Sequence, residues 1–475
     1  MSSAPEESLP AAGGSANAGA PLSADQKRWL IRLIAFSFFM QMLDSTIVNT
    51  ATPSIAAALA VDPLSLKSAL ISYVLSLAVF IPISAWFADR YGTRRVFAVA
   101  IAIFTFGSLA CGLAQSLWML TAARVVQGFG GALMMPVGRL ALVRSFDKIE
   151  FVNALSIATI PGLIGPAIGP LLGGFFSMYL SWRMIFFVNI PFGIAGIWLT
   201  RRCMPDYRSS VIVPLDLPGF ALLALGMGGL SWALEQAADG AFVHALAIGV
   251  AAAALLGAYF RRSVGAPAPL VDLRLLRIPS FRVAFVSGFA TRLGVGGIYF
   301  LLTLLLQVGF GYSAIMAGLL QTPQAVAMIL MRFFVGDIIK QLGYRRVLVV
   351  NTALSGLLIV LFATFAATTP VWLICVQVFL YGFVMSLQYS AMNTLGFIDL
   401  APAQASMGSS ITSAVQNLSM SLGIAFASVL MTAFLQAGAD PAHYVAAFRA
   451  TMIILGVVTL ASSLLFLRLP RSAAT

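Results

Sequence analysis

The chain has 475 residues, of which 60% are hydrophobic and 9% charged, and its mean hydropathy is +0.96. No soluble protein of this length buries so much apolar surface, so the composition excludes a soluble globular protein and indicates a polytopic membrane protein. The formal net charge of +12 could suggest a nucleic-acid partner, but most basic residues fall in short clusters between apolar runs, the pattern of membrane topology.

The chain begins with a polar segment rich in Ala, Gly, Ser and Pro, and we predict a disordered cytoplasmic tail over residues 1–28. The segment is acidic before it is basic and lacks an apolar core, so it does not resemble a signal peptide, and the first hydrophobic span should serve as an uncleaved anchor. The three cysteines are far apart in the sequence, which predicts no disulfide framework and no metal site. We expect no cofactor.

The rest of the chain alternates between apolar runs of about 20 residues and short polar loops. Runs of this length fit membrane-spanning helices, whereas barrel strands would alternate over about 10 residues. We therefore predict an all-α polytopic membrane protein with 14 spans. Their predicted limits are Trp29–Thr50, Lys67–Ala88, Val96–Ala114, Leu117–Leu140, Val152–Leu180, Arg183–Thr200, Leu217–Glu235, Ala241–Phe260, Phe281–Phe310, Ser313–Ile339, Val347–Ala367, Val371–Leu395, Ser406–Leu435 and Tyr444–Leu467.

The even-numbered loops hold most of the lysine and arginine, for example Arg94, Arg144 and Arg261, whereas the odd-numbered loops hold little beyond Lys67, Arg183 and Arg449. Basic loops stay in the cytoplasm, so both termini are predicted to be cytoplasmic. A missed span would break this alternation, and the charge pattern therefore supports an even number of spans.

A short repeat divides the chain. Gly92 to Val96 (GTRRV) follows the second span, and Gly343 to Val347 (GYRRV) follows the tenth. The separation equals one six-helix unit plus two helices. We therefore expect a six-helix bundle at 29–203, two inserted helices with flanking cytoplasmic loops at 204–275, and a second six-helix bundle at 276–475, the repeated-half layout of secondary transporters.

Five segments carry a family resemblance. They are Leu43–Asn49 (LDSTIVN), Ala85–Arg95 (AWFADRYGTRR), Arg124–Gly131 (RVVQGFGG), Gly162–Gly174 (GLIGPAIGPLLGG) and Trp182–Pro191 (WRMIFFVNIP). In this order and topology they resemble the motifs of the major facilitator superfamily, and specifically those of its 14-span drug:proton antiporter branch. The one departure is Ala85, where the family usually has Gly.

The resemblance implies the major facilitator fold, with two pseudo-symmetric six-helix bundles and two inserted central helices. It also implies a proton-coupled antiporter that exports small amphiphilic molecules, drug-like compounds or metabolites, across a bacterial inner membrane by alternating access. The expected partners are the small-molecule substrate, protons and the lipid bilayer, with no nucleic acid, and we expect the chain to function as a monomer.

Asp44 and Arg124 are the predicted proton-coupling pair. Asp44 is the one acid that lies deep in an apolar span, where an unpaired carboxylate costs several kcal/mol. At 1.5 Å per residue, Asp44 and Arg124 both fall roughly 9–11 Å inside the outer boundary, so the two side chains could pair. Asp44 would take the proton, and Arg124 would hold the ionised carboxylate. The alternative is a structural ion pair that only fixes helix packing.

The fifth span is predicted to be an antiporter helix. Gly165, Gly169 and Gly173 share one helix face and allow a neighbouring helix to approach closely. Pro166 and Pro170 remove backbone donors and permit bending. With Gly174, these residues match the motif that the family resemblance links to exchange rather than leak, although plain close packing would need the same glycines.

The loop after the second span is a candidate cytoplasmic latch between the two halves, because its acid and cations could form charge-assisted bonds. The alternative is that its cations only anchor the cytoplasmic face. The residues proposed for the latch are Asp89, Arg90, Gly92, Arg94, Arg95, Gly336, Gly343, Arg345 and Arg346.

Arg292 and Arg332 add two further cations inside predicted spans, which with Arg124 outnumber the single deep acid. A cavity lined in this way would prefer anions or neutral molecules to lipophilic cations. An alternative function is therefore export of organic anions or of metal–organic acid complexes. Snorkelling of Arg332 to the interface is the simpler explanation for that residue.

Polar and aromatic residues within the spans are candidates for the substrate cavity, because unpaired amides are costly in lipid. The full set is Gln41, Asn49, Gln127, Arg292, Tyr299, Gln321, Arg332, Gln388, Tyr389 and Asn393.

The sequence contains no HExxH zinc motif, no Walker A loop and no GxSxG elbow, so we predict that the protein is not an enzyme. A non-transporting membrane sensor on a transporter fold stays open as another class.

Overall fold

The structure, a computed structural model, describes residues 22–210, 214–266, 269–401, 404–435 and 441–469. In this part of the chain, 14 helical segments are long and apolar enough to cross a membrane, as predicted. Spans 1 to 14 run over Ala24–Ala58, Pro63–Tyr91, Thr93–Gly112, Leu117–Ser145, Asn153–Tyr179, Met184–Cys203, Leu217–Ala238, Phe242–Gly265, Pro279–Gly309, Ala314–Met331, Val335–Phe362, Val371–Phe397, Met407–Phe434 and Pro441–Arg468.

Several spans are broken. Span 2 comprises the helices Lys67–Phe80 and Ser84–Tyr91, and span 6 comprises Met184–Phe187 and Asn189–Cys203. Span 9 comprises Pro279–Val295 and Ile298–Leu304 and ends in a wider turn at Leu305–Gly309. Span 14 tightens at Ser463–Arg468, and the helices of spans 5 and 13 begin before the apolar segments, at Lys148 and Ala405.

The first span begins earlier than predicted. Ser23 caps it: the hydroxyl of Ser23 accepts a bond from the Gln26 N–H at 3.2 Å, and the Gln26 side chain accepts one from the Ser23 N–H at 2.9 Å. This capping box starts the helix at Ala24. The predicted disordered tail of residues 1–28 is therefore wrong over its last five residues, and residues 1–21 lie outside the described part of the chain.

The boundary between spans 10 and 11 also differs. Span 10 ends at Met331 rather than Ile339, and a new helix starts at Val335 rather than Val347. Gly343 interrupts that helix with φ 73° and ψ 154°. Gly92, its counterpart in the repeat, has nearly the same conformation with φ 92° and ψ 145°. Both lie in a region that L side chains rarely adopt, so the repeat is one of backbone geometry as well as of sequence.

An even number of spans brings the start of span 1 and the end of span 14 to one face of the bundle, here called the terminal face. The opposite face is the distal face. Towards the distal face one apolar core runs through both bundles and includes Ile47, Phe186, Leu304 and Leu320. Towards the terminal face the core divides into separate clusters, around Phe97 in the first bundle and Leu348 in the second. The bundles are therefore packed together more completely at the distal face.

The first of the two inserted helices, span 7, lies against the outside of both bundles. Span 7 places Phe220 and Met227 against Val79 of span 2 and Leu418 of span 13. Lys67 also approaches Asp239, at the end of span 7, with 3.5 Å between Nζ and Oδ1. Span 8 packs on span 7 and is otherwise largely exposed, as expected for a helix that faces lipid. The pair covers the seam between spans 2 and 13.

Candidate functional site

Asp44 lies within the continuous helix Ala24–Ala58, and its side chain is 0% exposed. A carboxylate in apolar surroundings is tolerated only when its lone pairs are satisfied. The structure satisfies them with three side chains from two other spans, which makes Asp44 the centre of the candidate site.

Arg124 of span 4 is the ionic partner. Ser116 caps this span by accepting a hydrogen bond from the Met119 N–H at 3.2 Å, which places Arg124 two turns into the helix from its distal end. Nη1 of Arg124 lies 2.6 Å from Oδ2 of Asp44, and the arginine side chain is 1% exposed. Both residues belong to the first bundle, so the pair does not join the two halves.

Two neutral amides complete the shell of the carboxylate. Gln127 Nε2 donates to Oδ1 of Asp44 at 2.7 Å, and Asn189 Nδ2 donates to the same oxygen at 2.9 Å. Gln127 lies one turn after Arg124, whose Nη1 also donates to Gln127 Oε1 at 2.8 Å. Asp44 therefore accepts three hydrogen bonds, one from a cation and two from amides.

Ser108 of span 3 positions the two amides. Its hydroxyl accepts bonds from Gln127 at 3.1 Å and from Asn189 at 3.0 Å. The same hydroxyl donates to the carbonyl of Phe186 at 3.0 Å, next to the break in span 6. The shell thus connects spans 1, 3, 4 and 6 through buried polar contacts, and a buried network of this kind is costly to leave partly satisfied.

Tyr73 of span 2 forms one wall of the site. Its ring centroid lies 4.0 Å from Cζ of Arg124, a cation–π contact that adds a second stabilising interaction for the guanidinium. Among the described residues, Arg124 Nε and Asn189 Oδ1 are buried without a hydrogen-bond partner. These two atoms give the network unused donor and acceptor capacity.

Some members of this site differ from the predictions made from the sequence. Gln127 was predicted to line a substrate cavity, but it is fully buried in the shell of Asp44. Asn189, Ser108 and Tyr73 were not predicted at all. Asn189 lies in the segment Trp182–Pro191, which carries part of the family resemblance. The one signal for it in the sequence is a single amide within an apolar run.

Two other predicted cavity amides are satisfied inside the second bundle. Gln321 Nε2 donates to Thr303 at 3.0 Å, and Gln388 Nε2 donates to Thr352 at 2.7 Å. Both glutamine side chains are buried. In this conformation neighbouring helices supply the hydrogen bonds that a cavity would otherwise provide, and contact of either glutamine with a substrate stays a prediction.

The remaining cavity candidates, Gln41 and Asn49 of span 1 and Tyr299 of span 9, lie beside other residues of the protein. Gln41 is buried near Tyr73, and Asn49 is half-buried and donates to the Thr46 carbonyl at 3.4 Å. The Tyr299 hydroxyl lies 3.9 Å from the sulfur of Met328.

A second site of interest is a cleft among spans 9, 12 and 13. Arg292 and Asn393 both line it, and Tyr389 lies beside Arg292 with 5.5 Å between Cζ and the ring centroid. Arg292 is 5% exposed. Arg332, by contrast, is exposed just beyond the end of span 10, so the prediction that it lies within a span is wrong, and its contribution to a substrate cavity stays a prediction.

Span 5 contacts both bundles through its glycines. A Cβ at Gly165, Gly169 or Gly173 would collide with span 1, at Leu43, Thr46 and Ile47 respectively. A Cβ at Gly174 would lie 2.5 Å from the Ala314 carbonyl of span 10. The glycines therefore allow close packing of span 5 on span 1 and on the second bundle.

The two prolines of the motif lie within the same unbroken helix, Lys148–Tyr179. Pro170 leaves the carbonyl of Pro166 without its usual helical donor. The carbonyl of Pro170 accepts a hydrogen bond from Thr50 Oγ1 at 2.9 Å, which ties span 5 to span 1 near the distal face.

The proposed latch residues form contacts within the first half. Asp89 accepts from Arg144 Nη2 at 2.7 Å, and the Arg94 backbone N–H donates to Asp206 at 3.3 Å. Arg90 lies 5.8 Å from the ring centroid of Trp86.

The other latch candidates are less involved. Arg95, Gly336 and Arg346 are exposed, Arg345 is half-buried, and no ion pair involves them within the described ranges. A latch between the halves therefore stays a prediction about another conformation.

Comparison with known proteins identifies the family. The model of the Major Facilitator Superfamily matches residues 34–424 and 285–475. A protein from Serratia proteamaculans (strain 568) that carries the name "Putative multidrug resistance protein MdtD" is 41% identical over 453 residues, which is 94% of each chain. The protein of the same name from Salmonella paratyphi A is 41% identical over 94% of this chain and 96% of its own.

Solved structures share the fold at low sequence identity. A bacterial homologue of the human lysosomal transporter Spinster superposes with a TM-score of 0.67 at 16% identity, and the match covers 94% of this chain and 98% of that one. The 14 spans, the repeated halves and the family match over nearly the whole chain agree. The chain belongs to the Major Facilitator Superfamily and is a membrane transporter, not an enzyme.

Proposed function

We propose that this transporter exports small amphiphilic molecules across a bacterial inner membrane in exchange for protons, with Asp44 as the proton carrier and Arg124 as its partner. The observation that carries the proposal is the fully buried carboxylate held by one guanidinium and two amides. Relatives named for multidrug resistance support export of drug-like molecules.

Protonation of Asp44 would disturb every contact in its shell. The ionised carboxylate accepts from Arg124, Gln127 and Asn189. Once protonated it carries an O–H donor that faces other donors, so at least one partner must move away. Arg124 would also lose the only acid that contacts it within the described residues. Proton binding therefore favours a different arrangement of spans 1, 4 and 6.

Span 1 connects this site to the contact between the bundles. Thr50, six residues after Asp44, donates to Pro170 of span 5 and accepts from Gln307 Nε2 of span 9 at 2.9 Å through its carbonyl. A displacement of span 1 that follows protonation would therefore reach the second bundle directly. This contact must break before the distal face can open.

The arrangement fits a state in which the distal face is closed. The core is continuous near the distal face and divided near the terminal face, where Arg139 Nη1 donates to Ser409 across the bundles. The charge pattern predicts that the terminal face is cytoplasmic. An ionised Asp44 in a protein closed to the outside is the expected partner state for binding cargo from the cytoplasm.

Reconstituted proteoliposomes would test the proposal. A pH gradient is imposed, a panel of amphiphilic compounds is added, and substrate-driven proton movement is followed with an internal pH indicator. We expect proton movement with the wild-type protein and none with Asp44→Asn. Glu235→Gln is the matched control, because Glu235 is a span 7 acid that makes no contact with the shell of Asp44.

Two results would contradict the proposal. Full coupling in Asp44→Asn would exclude Asp44 as the carrier and leave a structural ion pair. No transport of any compound by the wild-type protein, together with ligand binding, would favour the non-transporting sensor.

A further inference from the structure

We infer that the cleft among spans 9, 12 and 13 binds the single acidic group of an amphiphilic organic anion, with Arg292 as the residue that recognises it. The inference rests on the proposed export function and specifies the class of its substrate. The chemistry is that of a carboxylate attached to an apolar body.

Arg292 is a buried cation without a counter-charge. Its side chain is 5% exposed, and within the described residues the single charged or aromatic group beside its guanidinium is the Tyr389 ring, at 5.5 Å. Residues 276–475 contain only three acids, Asp337, Asp399 and Asp440, and none lies in the interior of a span. A desolvated guanidinium in this position lacks a partner that an anionic ligand could supply.

Snorkelling does not explain the position of Arg292. It is the fourteenth residue of span 9, which begins at Pro279, and therefore lies about 20 Å along the helix from the terminal face. An arginine side chain cannot cover that distance to the interface. In transporters of this architecture, substrate sites lie near the middle of the membrane.

Gly288 provides the space for the guanidinium. A Cβ at Gly288 would lie 2.8 Å from Nη1 of Arg292 and 2.6 Å from Cε of Met392. The side chain therefore folds back along its own helix by one turn, into the cleft. This contact gives a way to displace the guanidinium without removing it.

The walls of the cleft define the rest of the ligand. Phe281, Phe285 and Val415 are apolar, and Asn393 and Thr412 add neutral polar groups. In this conformation the cleft has a volume of about 20 Å³, room for about one water molecule beside Arg292, and it is partly open. An acidic group with its apolar body would therefore enter only as spans 9, 12 and 13 move apart. One guanidinium with no second cation suits one carboxylate, which it can bind with two parallel hydrogen bonds.

A cationic cargo is disfavoured at this cleft. The deep acid Asp44 is engaged by Arg124, so it does not offset the charge of Arg292. Like-charge contact in a site of low dielectric constant is costly. Among molecules of equal shape, the anion should therefore bind best, the neutral analogue less well and the cation least.

The test compares three ligands of one shape. Purified protein in nanodiscs of neutral lipid is titrated by calorimetry with 2-naphthoate, 2-naphthamide and 2-naphthylmethylammonium. We expect naphthoate to bind about 10- to 100-fold more tightly than naphthamide, because it adds charge-assisted hydrogen bonds. Arg292→Gln should remove this preference, Arg292→Lys should keep part of it, and Arg332→Gln is the control that should keep all of it.

Gly288→Ala gives an independent test of the inference if the arginine variants misfold. It retains the charge but occupies the space of the guanidinium, so naphthoate affinity should fall while naphthamide affinity changes little. Equal affinity for naphthoate and naphthamide in the wild-type protein would overturn the inference. So would an Arg292-dependent thermal stabilisation by anionic lipid that naphthoate does not reproduce, because the occupant would then be a lipid phosphate.

The experiment also separates this inference from the proposed function. Asp44→Asn should still bind naphthoate although it no longer couples protons. Loss of coupling with binding retained would bear on proton exchange alone. Failure of wild-type protein to prefer naphthoate, while cationic compounds still drive proton movement, would refute only the anion site.

Discussion

Asn189 and Gln127 donate to the same oxygen of Asp44, Oδ1, while Arg124 binds the other, Oδ2. The ionised carboxylate is thus stabilised by neutral donors on one side and by a charge on the other. Replacing a neutral donor leaves the ion pair of Asp44 and Arg124 intact. Asn189 is therefore the most suitable residue for a substitution that tests the site.

We expect Asn189→Ala to move the pH dependence of export. Asn189→Ala removes one of the three donors to the Asp44 carboxylate and leaves the contacts of Arg124 and Gln127. Loss of this donor weakens the shell that holds the ionised carboxylate, so the acid limb of the pH profile of export should move upward. Export by proteoliposomes at a series of internal pH values measures the change.

Asn351→Ala is the control for this prediction. Asn351 is also a buried amide and donates to the Val384 carbonyl at 2.8 Å, but it lies in the second bundle. Its loss should lower stability without moving the pH profile. An unchanged profile in Asn189→Ala would show that this amide serves packing alone.

The glycines of span 5 should separate into two functional classes. In Gly173→Ala the new methyl group meets the Ile47 carbonyl of span 1, within the first bundle, and we expect a loss of stability of about 1–3 kcal/mol. In Gly174→Ala it meets Ala314 of the second bundle, which should disfavour the closed distal face. Thermal unfolding in detergent measures the first effect.

Cysteine labelling measures the expected opening of the distal face in Gly174→Ala. In a background without Cys111, Cys203 and Cys375, a cysteine at Val308 should react faster with an impermeant maleimide when Gly174→Ala is present. Gly162→Ala is the matched control, because the nearest atoms to its Cβ lie at 3.6 Å. Equal labelling in all variants would contradict a role of Gly174 in the contact between bundles.

Gly92 and Gly343 should be the two glycines least replaceable by alanine among the repeat loops. Their positive φ angles, combined with ψ near 150°, cost an L residue about 1–3 kcal/mol. At Gly92 the methyl group would also meet the Asp206 carboxylate, the end of a side chain that can move aside, so the backbone conformation should dominate the effect. Gly336→Ala, with no atom within 4 Å, should be neutral, and thermal unfolding of the three variants checks the order.

The sequence was sufficient for the number of spans and for the meeting of Asp44 with Arg124. Both follow from quantities that hardly vary, namely the thickness of a bilayer and the rise of a helix. Gln127 could also have been placed in the shell, because a residue three positions after Arg124 shares its helix face.

Other features depend on contacts that a sequence does not display. Whether Gln321 or Gln388 faces a cavity depends on whether a neighbouring helix offers Thr303 or Thr352, and helix periodicity does not reveal this. Arg332 was misplaced because span 10 ends at Met331 within an apolar run, without a glycine or proline to mark the end. Asn189, which donates to Asp44, begins the second helix of span 6 directly after a break that helix periodicity does not predict.

The inserted helices limit the routes by which an apolar cargo could enter the transporter from the bilayer. Two seams run between the bundles, one between spans 2 and 13 and the other between spans 5 and 10. Span 7 covers the seam between spans 2 and 13 with Phe220 and Met227. Span 7 therefore blocks lateral entry from the bilayer along this seam. A lateral entry path for cargo from the lipid is confined to the opposite seam, between spans 5 and 10.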